Sequence, residues 1–204
     1  AAAPSLALGF LPRVMQRFMQ ACPDVAISLH TNTSATVEHW TRLQYCDLGL
    51  AVALSEGCDA RVELLGQANG VCILPRGHRL AALPEITPAA LRGETLILPA
   101  HGDGARERIE AIFRDAGVEL APRLEAQYAA ACCAMVGLGM GVAIVNPLVV
   151  RDYCHMGIEV RPFAPALPFP AWMLAPANRP TGLLAERFAA TVRAVLQEEM
   201  ETFA

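Results

Sequence analysis

The stretch from His30 to Val52 constrains the fold more than any other part of the sequence. It contains a polar turn at residues 32–34, an amphipathic helix predicted over residues 35–44, and an apolar strand predicted over residues 48–52. The strand is apolar without alternation, which is typical of a parallel strand buried on both faces. A helix that leads into such a strand predicts an α/β fold.

The polar turn at residues 32–34 stands at the start of the predicted helix and consists of Asn, Thr and Ser. Side-chain oxygens of these residues accept hydrogen bonds from the free backbone N–H groups of a helix start. Any N–H group that remains free can, together with the helix dipole, hold an anionic group of a ligand. The turn is therefore either a helix cap or part of a binding site.

The rest of the chain alternates helical and strand-like segments. A helix is predicted from an apolar stripe that runs from Leu11 to Cys22 at helical spacing, and residues 25–30 alternate apolar and polar and predict a strand. Further strands are predicted at residues 62–65, 70–74, 95–98, 124–127, 142–145, 158–160 and 171–174, and further helices at 88–91, from 105, at 129–136, from 147 and at 181–199. This order predicts a mostly parallel sheet covered by helices on both faces.

Two of the predicted strands, near residues 70–74 and 171–174, divide the chain. If both cross between lobes, residues 1–72 and 170–204 form lobe I and residues 73–169 form lobe II. A chain of 204 residues is long enough for two small lobes. Ligands in such α/β lobes bind beyond the carboxyl ends of the strands, where helices begin.

Composition argues against several classes of protein. The formal net charge of −4 argues against a nucleic-acid surface in this fragment. Seven cysteines are an odd number without a repeated spacing, which disfavours a disulfide scaffold and suits a reducing compartment. The start has no secretory signal pattern, and no apolar run reaches the ~18 residues of a membrane span. We therefore expect a cytoplasmic protein that does not interact with a membrane.

The sequence motifs do not indicate a cofactor site, a metal site or a catalytic site. The glycines from Gly137 to Gly141 follow a predicted helix and precede a strand, whereas a dinucleotide loop needs the reverse order. We interpret them as a helix stop with close packing, and the adjacent Cys132 and Cys133 as core residues. The five histidines lack metal-ligand spacing, and the sequence has no G-x-S-x-G or H-E-x-x-H motif. We expect no cofactor, no metal and no enzymatic activity.

The order of the motifs resembles the effector-binding domain of LysR-type transcriptional regulators, and the resemblance spans essentially the whole chain. The segments that carry it are Phe10-Leu11-Pro12 through Phe18, Pro23-Asp24-Val25, Asp47 to Ala51, Gly77-His78-Arg79-Leu80, and Val136 to Val145 followed by Pro147. Arg79 stands where the family usually has proline. Residues 43–47 also resemble members that sense opines and basic amino acids.

This resemblance implies two Rossmann-like lobes joined by two crossover strands, as in type 2 periplasmic binding proteins, with a small effector in the cleft between them. It implies a homodimer through the lobes, a tetramer at full length, and promoter DNA bound only through an N-terminal winged helix-turn-helix that this sequence does not contain. We therefore expect a sensor for a carboxylate or amino-acid-like effector. A periplasmic solute-binding protein and an enzyme on a related scaffold are the alternatives.

Nine residues near the predicted strand ends are candidate effector contacts, because converging helix N-termini favour a carboxylate. They are Ser5, Asn32, Thr33, Ser34, His101, Gly102, Asp103, Tyr128 and Asn146. Each has a structural alternative. The residues at predicted helix starts can be simple caps. The residues of the 101–103 loop can be ordinary turn residues, and Tyr128 can contribute only to packing within its lobe.

Overall fold

The protein is described by a computed structural model that covers residues 1–100, 104–120 and 122–202. The chain divides into two compact units. Unit 1 combines Ala1–Gln67 with Pro170–Ala204, and unit 2 is the continuous segment Ala68–Phe169. Unit 1 is therefore built from both ends of the chain.

The regular elements follow one another in mixed α/β order. The strands are β1 (Gly49–Ala51), β2 (Arg61–Asn69), β3 (Val71–Pro75), β4 (Leu96–Pro99), β5 (Leu124–Ala126), β6 (Val142–Val145), β7 (Ile158–Pro162) and β8 (Pro168–Ala175). The helices are α1 (Leu11–Ala21), α2 (Ser34–Arg42), α3 (Gly104–Asp115), α4 (Ala129–Gly137), α5 (Pro147–Val150) and α6 (Leu183–Thr202). A π-helical turn, Leu6–Phe10, leads directly into α1.

The sheet of unit 1 has the strand order β1-β8-β2, and β1 pairs antiparallel with β8. On the other side of β1, Ala2 forms parallel bridges with both Leu50 and Thr31. The predicted apolar stripe of α1 is confirmed at Leu11, Val14 and Phe18, which are buried, whereas Met19 is exposed. These elements give unit 1 its own apolar interior.

Helix α6 closes unit 1 by packing against α1. The rings of Phe18 and Phe188 meet edge to face with centroids 5.2 Å apart. Next to them, Arg13 Nε donates to Glu199 Oε1 at 2.6 Å, and Glu199 is buried. A buried carboxylate requires such a charged hydrogen-bond donor, so this ion pair holds the two ends of the chain together.

The sheet of unit 2 has the strand order β5-β4-β6-β3-β7. Strand β4 pairs in parallel with β5 and β6, whereas β3 pairs antiparallel with β6 and β7. Successive residues of β4 enter different apolar clusters: Leu98 packs with Phe113, and Ile97 packs with Val136. Because neighbouring side chains of a strand point to opposite faces, both faces of this sheet are covered.

Three predictions about local structure differ from the observed fold. The sheets are mixed instead of mostly parallel, because strand direction depends on partners distant in the sequence. Residues 88–91 form turns and no helix, since so short a segment gains few helical hydrogen bonds. Residues 25–30 form no strand, and only the adjacent Thr31 makes a bridge.

Candidate functional site

The candidate residues of unit 1 lie at one edge of its parallel strands. Because Ala2 is bridged in parallel to Thr31 and Leu50, the segments that follow these three residues leave the sheet at the same edge. Ser34 Oγ accepts a hydrogen bond from the Val52 N–H at 3.1 Å, which ties two of these segments together. The structure thus brings Ser5 and residues 32–34 to one edge of unit 1.

The start of α2 has both satisfied and free backbone donors. Thr33 is the N-cap, and its Oγ1 accepts from the Thr36 N–H at 3.3 Å. Asn32 Oδ1 accepts from the Thr33 N–H at 2.9 Å. Within the described residues, the N–H groups of Ser34 and Ala35 have no hydrogen-bond partner. The capping role predicted for Thr33 is confirmed, and two donors at the positive end of the helix dipole stay free.

Ser5 does not act as a helix cap. Its backbone is already helical, with φ −65° and ψ −22°, and its side chain makes no capping hydrogen bond. The π-helical turn follows at once, with the Leu11 N–H bonded to Leu6 O. Single π-helical turns are frequent at functional sites. The half-buried hydroxyl of Ser5 is therefore left for another partner at the edge of unit 1.

The candidate residues of unit 2 follow the ends of β4, β5 and β6, which run parallel and so end at one edge. The Ala100 N–H donates to Ala126 O at 3.0 Å just beyond that edge. Tyr128 opens α4 without a side-chain cap, and 43% of it is exposed. The ring of Tyr128 is accessible instead of packed in a core. His101, Gly102 and Asp103 lie outside the described residues.

Asn146 acts as a helix cap, which is the structural alternative to a ligand contact. Its Oδ1 accepts from the Leu148 N–H at 3.0 Å, so the side chain caps α5. The residue is buried. Pro147 takes the first helical position, where a proline costs no hydrogen bond. Of the candidates described in unit 2, Tyr128 offers a more accessible side chain than Asn146.

Arg108 is a residue that the sequence analysis did not select. It lies on α3, and its guanidinium carbon is 5.8 Å from the centroid of the Phe169 ring. Its Nε is buried and has no hydrogen-bond partner among the described residues. Long helical side chains point towards the helix N-terminus, and a side chain built on Gly104 would lie 3.6 Å from an amino group of Arg108. The signal available in the sequence was an arginine in the second turn after a loop.

The glycine-rich segment after α4 has the predicted structural role. Gly139 adopts a left-handed φ of 76° and donates its N–H to Val136 O, which ends the helix. At Gly137 a side chain would begin 2.8 Å from Met156 O. The interpretation as a helix stop with close packing is confirmed, because neither glycine forms a loop between a strand and a following helix.

The cysteines offer no reactive pair. All seven are in the reduced thiol form, and both Cys132 and Cys133 are buried. Burial raises the pKa of the Cys133 thiol to about 12, so this thiol stays protonated near neutral pH and lacks the reactive thiolate form. Among the described residues, no group of three His, Cys, Asp or Glu side chains is arranged to hold a metal ion. In the same part of the chain, no helix is both long and apolar enough to span a membrane.

Two solved structures with the same fold are regulatory domains in complex with small molecules. The regulatory domain of CcmR from Synechocystis PCC6803, in complex with 2-PG, has a TM-score of 0.80 at 21% identity and covers 95% of this chain and 94% of its own. The effector-binding domain of QuiR in complex with shikimate has a TM-score of 0.78 at 14% identity, with 97% and 95% covered. The fold is therefore the type 2 periplasmic-binding-protein-like fold of these domains.

Sequence comparison assigns the family. The model of the LysR substrate-binding domain matches residues 1–197, so the chain belongs to this family. The transcriptional activator LysR of Escherichia coli K12 is 35% identical over 194 residues, which are 95% of this chain and 62% of that protein. The regulatory protein NocR of Agrobacterium tumefaciens T37 is 32% identical over 186 residues, or 91% and 62%. The chain thus spans about three fifths of the length of these relatives.

Proposed function

We propose that this chain is the effector-sensing domain of a LysR-type transcriptional regulator, and that its effector is a small carboxylate or amino-acid-like anion. The family match and the regulators among its relatives support this proposal. The complete regulator would bind promoter DNA as an oligomer, with a homodimer formed through these domains and a tetramer at full length. It would act in the cytoplasm and would not turn over its ligand.

The start of α2 is the observation that supports an anionic effector. The free N–H groups of Ser34 and Ala35 point out of a helix N-terminus, where the dipole favours negative charge. The Ser34 hydroxyl accepts from Val52 and keeps its own proton for a ligand oxygen. Asn32 uses its Oδ1 within the turn and keeps its NH₂ group as a further donor. An oxyanion matches this set of donors.

Arg108 of unit 2 is a cation that supports the same choice of an anionic effector. A guanidinium binds a carboxylate through a charge-assisted hydrogen bond, and Arg108 forms no ion pair with a described residue. The accessible ring of Tyr128 offers a hydroxyl and an apolar face. We propose that the ligand contacts in unit 1 are Ser5, Asn32, Thr33 and Ser34. We propose that those in unit 2 are Tyr128, Asn146 and the 101–103 loop with Arg108.

The ligands and names of related proteins agree with this chemical class. The shikimate bound by QuiR carries a carboxylate, as does the benzoate in the BenM effector-binding domain. OccR of Rhizobium meliloti, 31% identical over 164 residues, is named for octopine catabolism and uptake, and octopine is an amino-acid derivative. A ligand can change the arrangement of such a regulator only by its difference in affinity for the two arrangements.

A thermal-shift screen tests the proposed class of ligand. The protein is heated with octopine, lysine, shikimate and benzoate, and with the carboxamide of each as a matched control. A ligand at 100 times its Kd stabilises by about 2.7 kcal/mol. We expect at least one acid to raise the Tm and its carboxamide to have little effect. Equal shifts for an acid and its amide, or a shift with none of the acids, would contradict an anionic effector of this class.

Two variants then test the proposed ligand contacts of each unit with the ligand identified by the screen. Ser34→Ala removes a hydroxyl at the α2 start, and Arg108→Gln removes the positive charge of Arg108. Their controls are Ser55→Ala and Arg114→Gln, which change exposed residues that are not among the proposed contacts. By isothermal titration we expect roughly tenfold or greater loss of affinity for each test variant. Unchanged affinity for one of them would remove its unit from the proposed contacts.

A further inference from the structure

Arg106 and Arg108 lie two residues apart on α3 but have different partners. Arg106 is buried, and its Nε donates to Glu110 Oε1 at 2.6 Å, four residues further along the helix. A helical side chain reaches the residues three and four positions away. For Arg108 these neighbours are all uncharged, namely Gly104, Ala105, Ala111 and Ile112. Arg108 therefore has no carboxylate at a neighbouring position of its own helix.

The ring of Phe169 lies where Arg106 would have a carboxylate. The guanidinium carbon of Arg108 is over this ring, 5.8 Å from its centroid. The face of an aromatic ring attracts a cation, but it does not accept the in-plane N–H groups as a carboxylate does. The Nε of Arg108 is buried, and neither it nor the two terminal amino groups form a hydrogen bond with a described residue. The terminal amino groups therefore keep their donors for another partner.

The position of this guanidinium is unfavourable without the ring. One amino group of Arg108 is 3.6 Å from the place of a Cβ on Gly104, which is the first residue of α3. The N-terminus of a helix carries a partial positive charge that repels a cation. A fixed arginine side chain also loses rotamer freedom. The attraction of the Phe169 ring opposes both costs, so the ring determines where the guanidinium stays.

The ring of Phe169 is itself held in place by Gly70. Phe169 is buried, and a Cβ on Gly70 would lie 2.9 Å from its Cε2 atom. The Gly70 N–H donates to Leu167 O at 2.8 Å, which fixes the glycine backbone beside the segment that carries the ring. A side chain at position 70 would therefore displace the ring from its place under Arg108.

We propose that Phe169, packed against Gly70, is a positioning residue that presents the terminal amino groups of Arg108 to the carboxylate of the effector. This inference rests on the proposed function, because it takes Arg108 as an anion contact. The ring fixes the guanidinium and leaves the donors at its edge open, and a ligand carboxylate can bind two of them in parallel. An uncharged ligand would gain little from the same arrangement.

NMR of the Arg108 Nε–H group tests the position of the side chain without any ligand. The signal is assigned by its loss in Arg108→Gln. Because the ring current shifts a proton over an aromatic face upfield, we expect an upfield signal in the native chain and in Phe169→Tyr. Phe169→Leu should lose this shift. The matched control is Phe163→Leu, which shortens another buried phenylalanine of the same apolar cluster and should keep it.

A titration with sodium acetate, followed by the same signal, tests what the arrangement does. Acetate is a minimal carboxylate probe, and acetamide is its uncharged control. We expect the native chain, Phe169→Tyr and Phe163→Leu to respond to acetate and not to acetamide. The Kd for acetate should rise about two- to fivefold in Phe169→Leu, as the loss of a cation–π contact predicts. Gly70→Ala displaces the ring without removing it and should also raise the Kd, so it tests the proposal even if Phe169→Leu does not fold.

Four results would overturn the proposal. The first is a native signal without the upfield shift, and the second is an equal Kd for acetate in the native chain and Phe169→Leu. The third is an equal rise of the Kd in Phe163→Leu, which would assign the effect to the core in general. The fourth is an intact upfield shift with no response of the native chain to acetate. That result would contradict Arg108 as an anion contact, so the failure would be that of the proposed function, and the positioning role would end with it.

Discussion

The parallel strands of the two units are paired differently. In unit 2, β4 has a parallel partner on each side, and its residues Ile97 and Leu98 are completely buried. In unit 1 the described parallel contacts are the single bridges of Ala2 to Thr31 and to Leu50. The comparison teaches that parallel pairing in unit 2 forms continuous ladders, whereas in unit 1 it is limited to isolated bridges.

The largest effect that separates the units is expected from shortening one phenylalanine in each. Phe113 is enclosed in the core of unit 2, whereas Phe18 lines an open pocket of unit 1 beside residues 25–30. Phe113→Ala should lower the free energy of unfolding by about 3–5 kcal/mol, because it leaves a closed cavity. Phe18→Ala should cost less, because it widens a space that is already open. Equilibrium urea unfolding measures both, and equal losses would remove this difference between the units.

A smaller difference is expected between two arginine clusters. In unit 2 the buried Arg106 donates to Glu110 Oε1 at 2.6 Å and to Glu125 Oε1 at 2.9 Å. In unit 1 the exposed Arg193 binds Glu63. Arg106→Gln should cost about 2–3 kcal/mol, because hydrogen bonds to charged groups are lost in a buried place. Arg193→Gln should cost less than about 1 kcal/mol, since solvent screens the pair. The same urea titration checks this order, which a costlier Arg193→Gln would reverse.

The smallest effect is a dependence on pH that arises in unit 1. The hydrogen bond from Arg193 holds the pKa of Glu63 below its ordinary value of 4.5. A carboxylate with a lowered pKa in the folded state contributes stability above its ordinary value, and this contribution is lost as the pH falls through the folded value. Stability of the native chain should therefore fall slightly more than that of Arg193→Gln below pH 4.5. Parallel acid titrations of the two proteins, followed by circular dichroism, would contradict this if the curves kept a constant separation.

Local patterns in the sequence predicted the elements whose stability is local. The stripe of α1 predicted its buried face, and the apolar run at residues 142–145 predicted β6 with its observed bounds. The segment at residues 25–30 has an equally clear pattern but forms no strand. A strand needs hydrogen bonds from neighbours, and alternation of residue types contains no information on whether those neighbours are present.

The candidate site was predictable in part for the same reason. A polar turn before a helix predicted the cap that Thr33 forms. It did not predict that the Ser34 hydroxyl would accept from Val52, because that contact depends on how α2 packs beside β1. That packing requires Gly49, where a side chain would begin 2.5 Å from the Thr41 hydroxyl. Arg108 was missed because its stacking partner, Phe169, is distant in sequence.

The discontinuous composition of unit 1 has a consequence for synthesis on the ribosome. Unit 2 is one uninterrupted segment and can begin to fold once residue 169 has emerged, as domains generally do during translation. The pairing of Leu50 with Met173 and the contact of Arg13 with Glu199 must wait for the last part of the chain. The segment Ala1–Gln67 is therefore synthesised before unit 2 but reaches its native environment after it, and it stays accessible to chaperones and proteases for longer.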